Sequence, residues 1–191
     1  GALVAYLRET QKEFPPHIRE IITYHMGAFM VLDAATCTHL ELLKTIRGQS
    51  SKGSLCQILD QSVTPMGSRL LKNWIAYPLI HVDRIQDRLA AVACLKDDPA
   101  LRQDVRSELG EIYDMARLNG RIAMKRANAR DLQALKASIQ RLPALKDALS
   151  GSSSILLSRL ASKLDILHDV VCLIEESIHD DPPVSIKDGG I

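Results

Sequence analysis

Residues 53–79 read GSLCQILDQSVTPMGSRLLKNWIAYPL. Within them Thr64 is a good helix N-cap, and Pro65 stands at the first helical position, where a missing N–H costs nothing. Met66, Leu70, Trp74 and Pro78 follow at four-residue steps. With Val63, Leu71 and Ile75 they form one apolar face, while Arg69, Lys72 and Asn73 point away. The spacing predicts a helix starting at Pro65, with Trp74 as a core anchor. Helical period here, in place of strand alternation, sets the class of the surrounding chain.

Downstream the same period recurs. Ile85, Leu89, Val92 and Leu95 predict a second helix; Asp97-Asp98-Pro99 ends it and caps the next, which carries Leu101, Val105 and Leu109. Met115, Leu118 and Ile122 continue the pattern. Asn128 is an N-cap with Asp131 at the third position, where a carboxylate favours the positive helix end. Leu132, Leu135, Ile139 and Leu142 then form the seam of a helix lying along another, and Pro143 is expected to break it near Arg141. Beyond SGSSS (150–154), Leu156, Leu160, Leu164, Leu167, Val171, Ile174 and Ile178 predict roughly six turns, about 35 Å, with Asp165 placed to cap a break.

Upstream, Leu3, Tyr6 and Leu7 share a helical face, with no capping residue before them, and Pro15-Pro16 closes that element. The stretch IREIITYHMGAFMVLD (18–33) is β-branched and aromatic enough for one or two short strands near residues 21–33, around Gly27. The chain starts inside a helix and, after Pro182-Pro183, stops beyond Gly189-Gly190, which reads as an excised segment.

Composition agrees with a mainly all-α fold. The 191 residues are rich in Leu, Ile and Ala and only 4% aromatic, and they suffice for one large domain or two small ones. A net charge of +1 argues against a globally basic nucleic-acid binder. Cys37, Cys56, Cys94 and Cys172 lack Cys-x-x-Cys spacing, and neither an apolar leader nor a spanning segment is seen. A reducing, cytoplasmic setting with no membrane partner is expected.

Catalytic patterns are missing: no Gly-x-Ser-x-Gly, no His-Glu-x-x-His, no glycine-rich fingerprint after a strand. The six histidines stand apart from one another, and Cys37-Thr38-His39 lacks the second ligand pair that a metal site needs. No catalytic, cofactor or metal residue is assigned. The loop GQSSKGS (48–54) imitates a phosphate loop, but Lys52 precedes Gly53, Leu55 follows Ser54, and the preceding residues read as helix. One charged cluster remains, RLNGRIAMKRANAR (117–130). Arg117, Arg121 and Lys125 lie at four-residue steps, with Arg126 and Arg130 nearby. Such a stripe meets DNA phosphates, a neighbouring acidic domain, or only solvent; the pattern admits all three.

Three stretches together resemble the MutS family of DNA mismatch-repair proteins, specifically its helical core and lever domain. They are MVLDAATCTHLEL (30–42, with Asp33), residues 53–79, and RLNGRIAMKRANARDLQALKASI (117–139, with Arg121). The middle one is the most specific. Gly53, Ser54, Asp60, Thr64, Met66, Gly67, Arg69, Leu70, Trp74 and Pro78 fall where the family's motif has them. His39 replaces the usual asparagine and Ala129 the usual proline, the second loosening the start of the helix that follows.

The resemblance implies a division into the end of a connector helix (1–15), a helical core (16–127) and lever helices (128–191) leading toward a clamp. It also implies that this segment is non-catalytic. ATP and magnesium would be held elsewhere in an intact DNA-dependent ATPase, with the other domains of the same chain, mismatched double-stranded DNA, a homodimer mate and a MutL-like protein as partners. Alternatives are the same region of a MutS-like paralogue acting on recombination structures, or a stand-alone helical scaffold for protein partners.

Overall fold

Helix boundaries follow capping chemistry. The computed structural model describes residues 2–11, 26–183 and 189, and among them the helices are α1 (Ala2–Gln11), α2 (Ala34–His39), α3 (Leu55–Leu59), α4 (Pro65–Ala76), α5 (Val82–Asp97), α6 (Pro99–Gly110), α7 (Met115–Ala123), α8 (Ala129–Ile139), α9 (Leu142–Ser150), α10 (Ile155–Lys163) and α11 (His168–Ser177). The fold is all-α. Thr64 caps α4 by accepting from the Gly67 N–H, and Asp98 caps α6 by accepting from the Leu101 N–H. Asn128 and Asp131 form a reciprocal capping box at α8, which closes the helix start despite the alanine at 129. The break expected near Arg141 falls there, between α8 and α9.

No strand forms among the described residues. Residues 21–25 of the expected strand region lie outside them; Met26–Ala28 is a 3-10 turn. Phe29 and Leu79 make a single antiparallel bridge, beside which the Met30 N–H donates to the Pro78 carbonyl at 2.8 Å. Pro78 has no N–H to return, so the ladder ends where it begins. The Pro15-Pro16 stop also lies outside the described residues.

The core cluster combines Ala91 of α5, Val105 of α6, Ile112, Ile139 of α8, Leu142, Leu145 and Leu149 of α9, and Leu157 and Ala161 of α10. These helices pack pairwise: α9 against α6 and α10, α10 against α5, α11 against α8, and α7 against α8. The cluster therefore includes residues on both sides of position 127.

Three expectations need correction. Trp74 is not a core anchor: it is 39% exposed, with the Arg88 guanidinium 3.6 Å above its ring. From α4 only Met66 touches the central cluster, and no α4 residue is buried. On α5 the inward side chains are Ala91, Cys94 and Leu95, leaving Leu89 and Val92 on the surface. Finally, the six-turn rod is two helices; the longest described helix is the 16-residue α5. Residues 164–167 break the run, where Lys146 Nζ donates to the Leu164 carbonyl (2.8 Å) and the Leu167 N–H to Asp165 Oδ1 (3.1 Å). The bend lets α10 pack on α9 and α5 while α11 packs on α8, which one straight helix would not do.

Candidate functional site

Several of the motif residues shared with the family's pattern serve helix ends. Asp33 caps α2, its carboxylate accepting from the Thr36 N–H at 2.6 Å. That bonding holds its pKa below the usual aspartate value. Ser54, fully buried, caps α3: its hydroxyl accepts from the Gln57 N–H (3.3 Å) and donates to the Ser51 carbonyl (2.8 Å). Gly53 precedes it at φ +92°, a conformation that L side chains rarely adopt. Asp60 accepts from the Ser68 hydroxyl (2.6 Å) and the Ser62 N–H (3.1 Å), which together depress its pKa. A Cβ on Gly67 would come within 3.1 Å of Thr64 Oγ1, so glycine keeps the α4 cap open.

Arg69 leaves α4 to reach the start of α7. Its two terminal nitrogens each donate to one oxygen of Asp114 at 2.7 Å, a bidentate pair across 45 residues. Asp114 also caps α7 through the Arg117 N–H (3.2 Å). The Arg69 bonds, helped by that N–H and opposed by partial burial, lower the Asp114 pKa to about 2. The same pairing raises that of Arg69.

Arg121 plays the corresponding part at the other end of α7. It pairs with Asp131 at 2.8 Å, and Asp131 is itself half of the α8 capping box. Lys125 at φ +55° and the bond from the Arg126 N–H to the Arg121 carbonyl (2.8 Å) turn the chain between the two helices. The α7–α8 elbow is thus held by an ion pair, a capping box and a left-handed residue.

The basic cluster is consequently divided. Arg121 faces Asp131, and Arg130 donates to the Pro182 carbonyl (3.0 Å) with Asp181 at 4.0 Å. Arg117, Lys125 and Arg126 are exposed and make no ion pair among the described residues. Sequence spacing missed the clasp that Arg130 belongs to. Gln133 Nε2 donates to the carbonyls of Ile178 (3.3 Å) and His179 (2.8 Å), and Lys136 Nζ to Asp180 (3.2 Å). Arg130, Gln133 and Lys136, at three-residue steps, bind residues 178–182 to one face of α8. The three-residue spacing was visible, but its target lay about 45 residues away.

The loop at 48–54 is a closed turn. Thr45 N–H donates to the Ser50 carbonyl (2.8 Å), Lys52 N–H to Ser50 Oγ (3.1 Å) and Gly53 N–H to Gln57 Oε1 (3.0 Å). The Lys52 and Gly53 amides are thus engaged by neighbouring side chains, and the helix that follows, α3, has five residues. A phosphate cradle needs such amides free and a strand before the loop.

The polar residues thus define an all-helical domain in which buried and paired groups fix helix ends and elbows. Residues 35–191 match the model of MutS domain III. The whole chain is 47% identical to the DNA mismatch repair protein MutS of Alkaliphilus oremlandii, of which it covers 22%. It is 44% identical to those of Halothermothrix orenii and Symbiobacterium thermophilum, covering 21% and 22% of them. The chain belongs to the MutS family, as its domain III core and lever. It spans about a fifth of the length of these curated relatives. Among the described residues no helix is long and apolar enough to cross a membrane.

Proposed function

We propose that this chain is the non-catalytic core and lever of a mismatch-repair ATPase, transmitting displacement between the nucleotide site and the domains that read and enclose DNA. In that protein ATP and magnesium bind elsewhere in the polypeptide. Mismatched double-stranded DNA, a second protomer and a MutL-like protein are its partners. The division into connector end (1–15), core (16–127) and lever (128–191) belongs to the same proposal.

The observation that carries this reading is the seating of α8. Ile139 is 1% exposed in a cluster drawn from α5, α6, α9 and α10. One residue earlier, the fully buried Ser138 accepts from the Tyr113 N–H at 3.1 Å, tying α8 to the α6–α7 turn. At its start α8 is locked to α7 by Arg121–Asp131, and along one side to residues 178–182 by the clasp. Close-packed interiors move as units, so a helix seated in the core at its end, locked to α7 at its start and clasped along one side passes a push onward. Coupling of about 1–3 kcal/mol suffices to change affinity five- to 150-fold.

The test is Leu135→Ala and Ile139→Ala in the intact protein. Folded variants are expected to lose nucleotide-dependent clamp behaviour on DNA while retaining basal ATP turnover. Normal DNA-stimulated turnover together with normal sliding would remove the lever role.

A further inference from the structure

Past the end of α11 the chain is tied to the fold by side chains. Ile178 closes the helix, its N–H donating to the Ile174 carbonyl at 2.9 Å, and takes an extended conformation with φ −129° and ψ 128°. Among the described residues no backbone–backbone hydrogen bond reaches 179–183. The bonds that tie this stretch to another element come from one face of α8: Arg130 to the Pro182 carbonyl, Gln133 to the Ile178 and His179 carbonyls, and Lys136 to Asp180. None of residues 178–183 belongs to the central apolar cluster, and Pro182 alone among them is buried. The two sides of the contact differ in exposure. The side chains of Asp180 and Asp181 are 92% and 96% exposed, whereas that of Lys136 is 11% exposed. When the contact opens, the freed carbonyls and carboxylates exchange their partners for water, which returns most of the bonding. Lys136 is instead left nearly buried without an acid, since Asp180 is the carboxylate it pairs with among the described residues. The cost of opening therefore falls on the α8 side. Because Asp180 stands in water, salt screens the pair that sets that cost. Pro182 and Pro183 restrict their own φ angles and the residues before them, so 181–183 moves as one stiff piece.

We propose that residues 178–183 are a releasable strap, which swings off α8 about Ile178 while α8, α11 and the core stay packed, with the Lys136–Asp180 pair as its catch. The packing of α11 on α8 and the Arg121–Asp131 pair lie outside the strap and survive its release. Closed, the strap fixes the direction in which the chain leaves α11. Open, it frees that exit and uncovers the row of Arg130, Gln133 and Lys136. The strap goes beyond the lever reading, which requires only that α8 be seated: it gives the exit from α11 a second position whose population follows ionic strength.

Lys136 is its own reporter. In the intact protein, acetylation of lysines by an N-hydroxysuccinimide ester is followed by mass spectrometry. The rate at Lys136 is divided by that at Lys125, which is exposed and makes no ion pair among the described residues. The wild-type ratio is expected to lie well below one. Raising salt from about 0.05 to about 0.5 M is expected to raise it roughly threefold, the scale of one screened ion pair. Asp180→Asn should raise it about threefold as well. Gln133→Ala, which removes two hydrogen bonds and no charge, should raise it about tenfold. Below the unfolding transition the ratio should stay flat in urea, because release exposes no core. A wild-type ratio near one, a ratio unmoved by salt, by Asp180→Asn or by Gln133→Ala, or labelling that climbs with urea in step with unfolding would each overturn the strap. None of these measurements involves nucleotide or DNA, so the strap can fail while the Leu135 and Ile139 variants still uncouple the sites, and the lever reading can fail while the strap stands.

Discussion

Replacing Ile139 with alanine tests whether the core is the joint described. Ile139 is 1% exposed, the most buried large side chain of the central cluster. The substitution removes the equivalent of about three methylenes, worth roughly 0.8 kcal/mol each, and leaves a cavity whose lining loses contacts. Transfer and cavity terms together reach about 2–5 kcal/mol. Alanine's better helix propensity returns roughly 0.4 kcal/mol, so a net loss of about 2–4 kcal/mol is expected. For a chain of this size that lowers Tm by about 4–16 °C. The assay is helical circular dichroism against temperature and urea, with Ile155→Ala as control. Ile155 also lies in a helix but is 72% exposed, and its loss is expected to stay within about 0.5 kcal/mol. Equal costs at the two positions would show that α8 is not seated in a packed core, and the lever reading would lose its footing.

The Arg69–Asp114 pair predicts an acid limb of stability. Asp114 ionises at about 2 in the fold against an ordinary value of 3.8, so its contribution is full above about pH 4 and is lost as pH falls through 2. Acid titration of unfolding midpoints should show that limb in the wild type and a flatter one in Asp114→Asn. Ser54→Ala removes a buried cap and is expected to cost about 1–2 kcal/mol in urea unfolding, whereas Ser51→Ala, whose carbonyl does the accepting, should leave stability nearly unchanged. Reversing the exposed Arg117, Lys125 and Arg126 together should leave unfolding within about 0.5 kcal/mol of wild type. If these residues meet phosphates in the intact protein, the same triple variant lowers the salt slope of DNA binding by roughly 1 per lost contact, and an unchanged slope assigns them to solvent.

Local chemistry was legible without coordinates. Thr64-Pro65, Asp98-Pro99 and the Asn128–Asp131 box each act within three residues of chain, and all three helices begin where those residues place them. Pro143 likewise marked the α8–α9 break. The family resemblance rested on the same stretches. Periodicity was less informative about burial. The α4 stripe holding Leu70 and Trp74 has the spacing of a core face yet is half exposed, because spacing reports that a face is apolar, not what lies opposite it. The same holds for Leu89 and Val92 on α5.

Charge pairing was equally hidden. Arg117, Arg121 and Lys125 look equivalent in a string of letters, but the elbow turns Arg121 onto Asp131 and leaves the other two outside. Arg69 meets Asp114, and Arg130 the Pro182 carbonyl, across 45 and 52 residues. What the sequence determined alone was where helices start and stop and which family the chain resembles, since caps and prolines act on their immediate neighbours. Only the tertiary structure decided which faces are covered and which charges are spent, because burial and ion pairing depend on side chains that the chain path brings together from far apart.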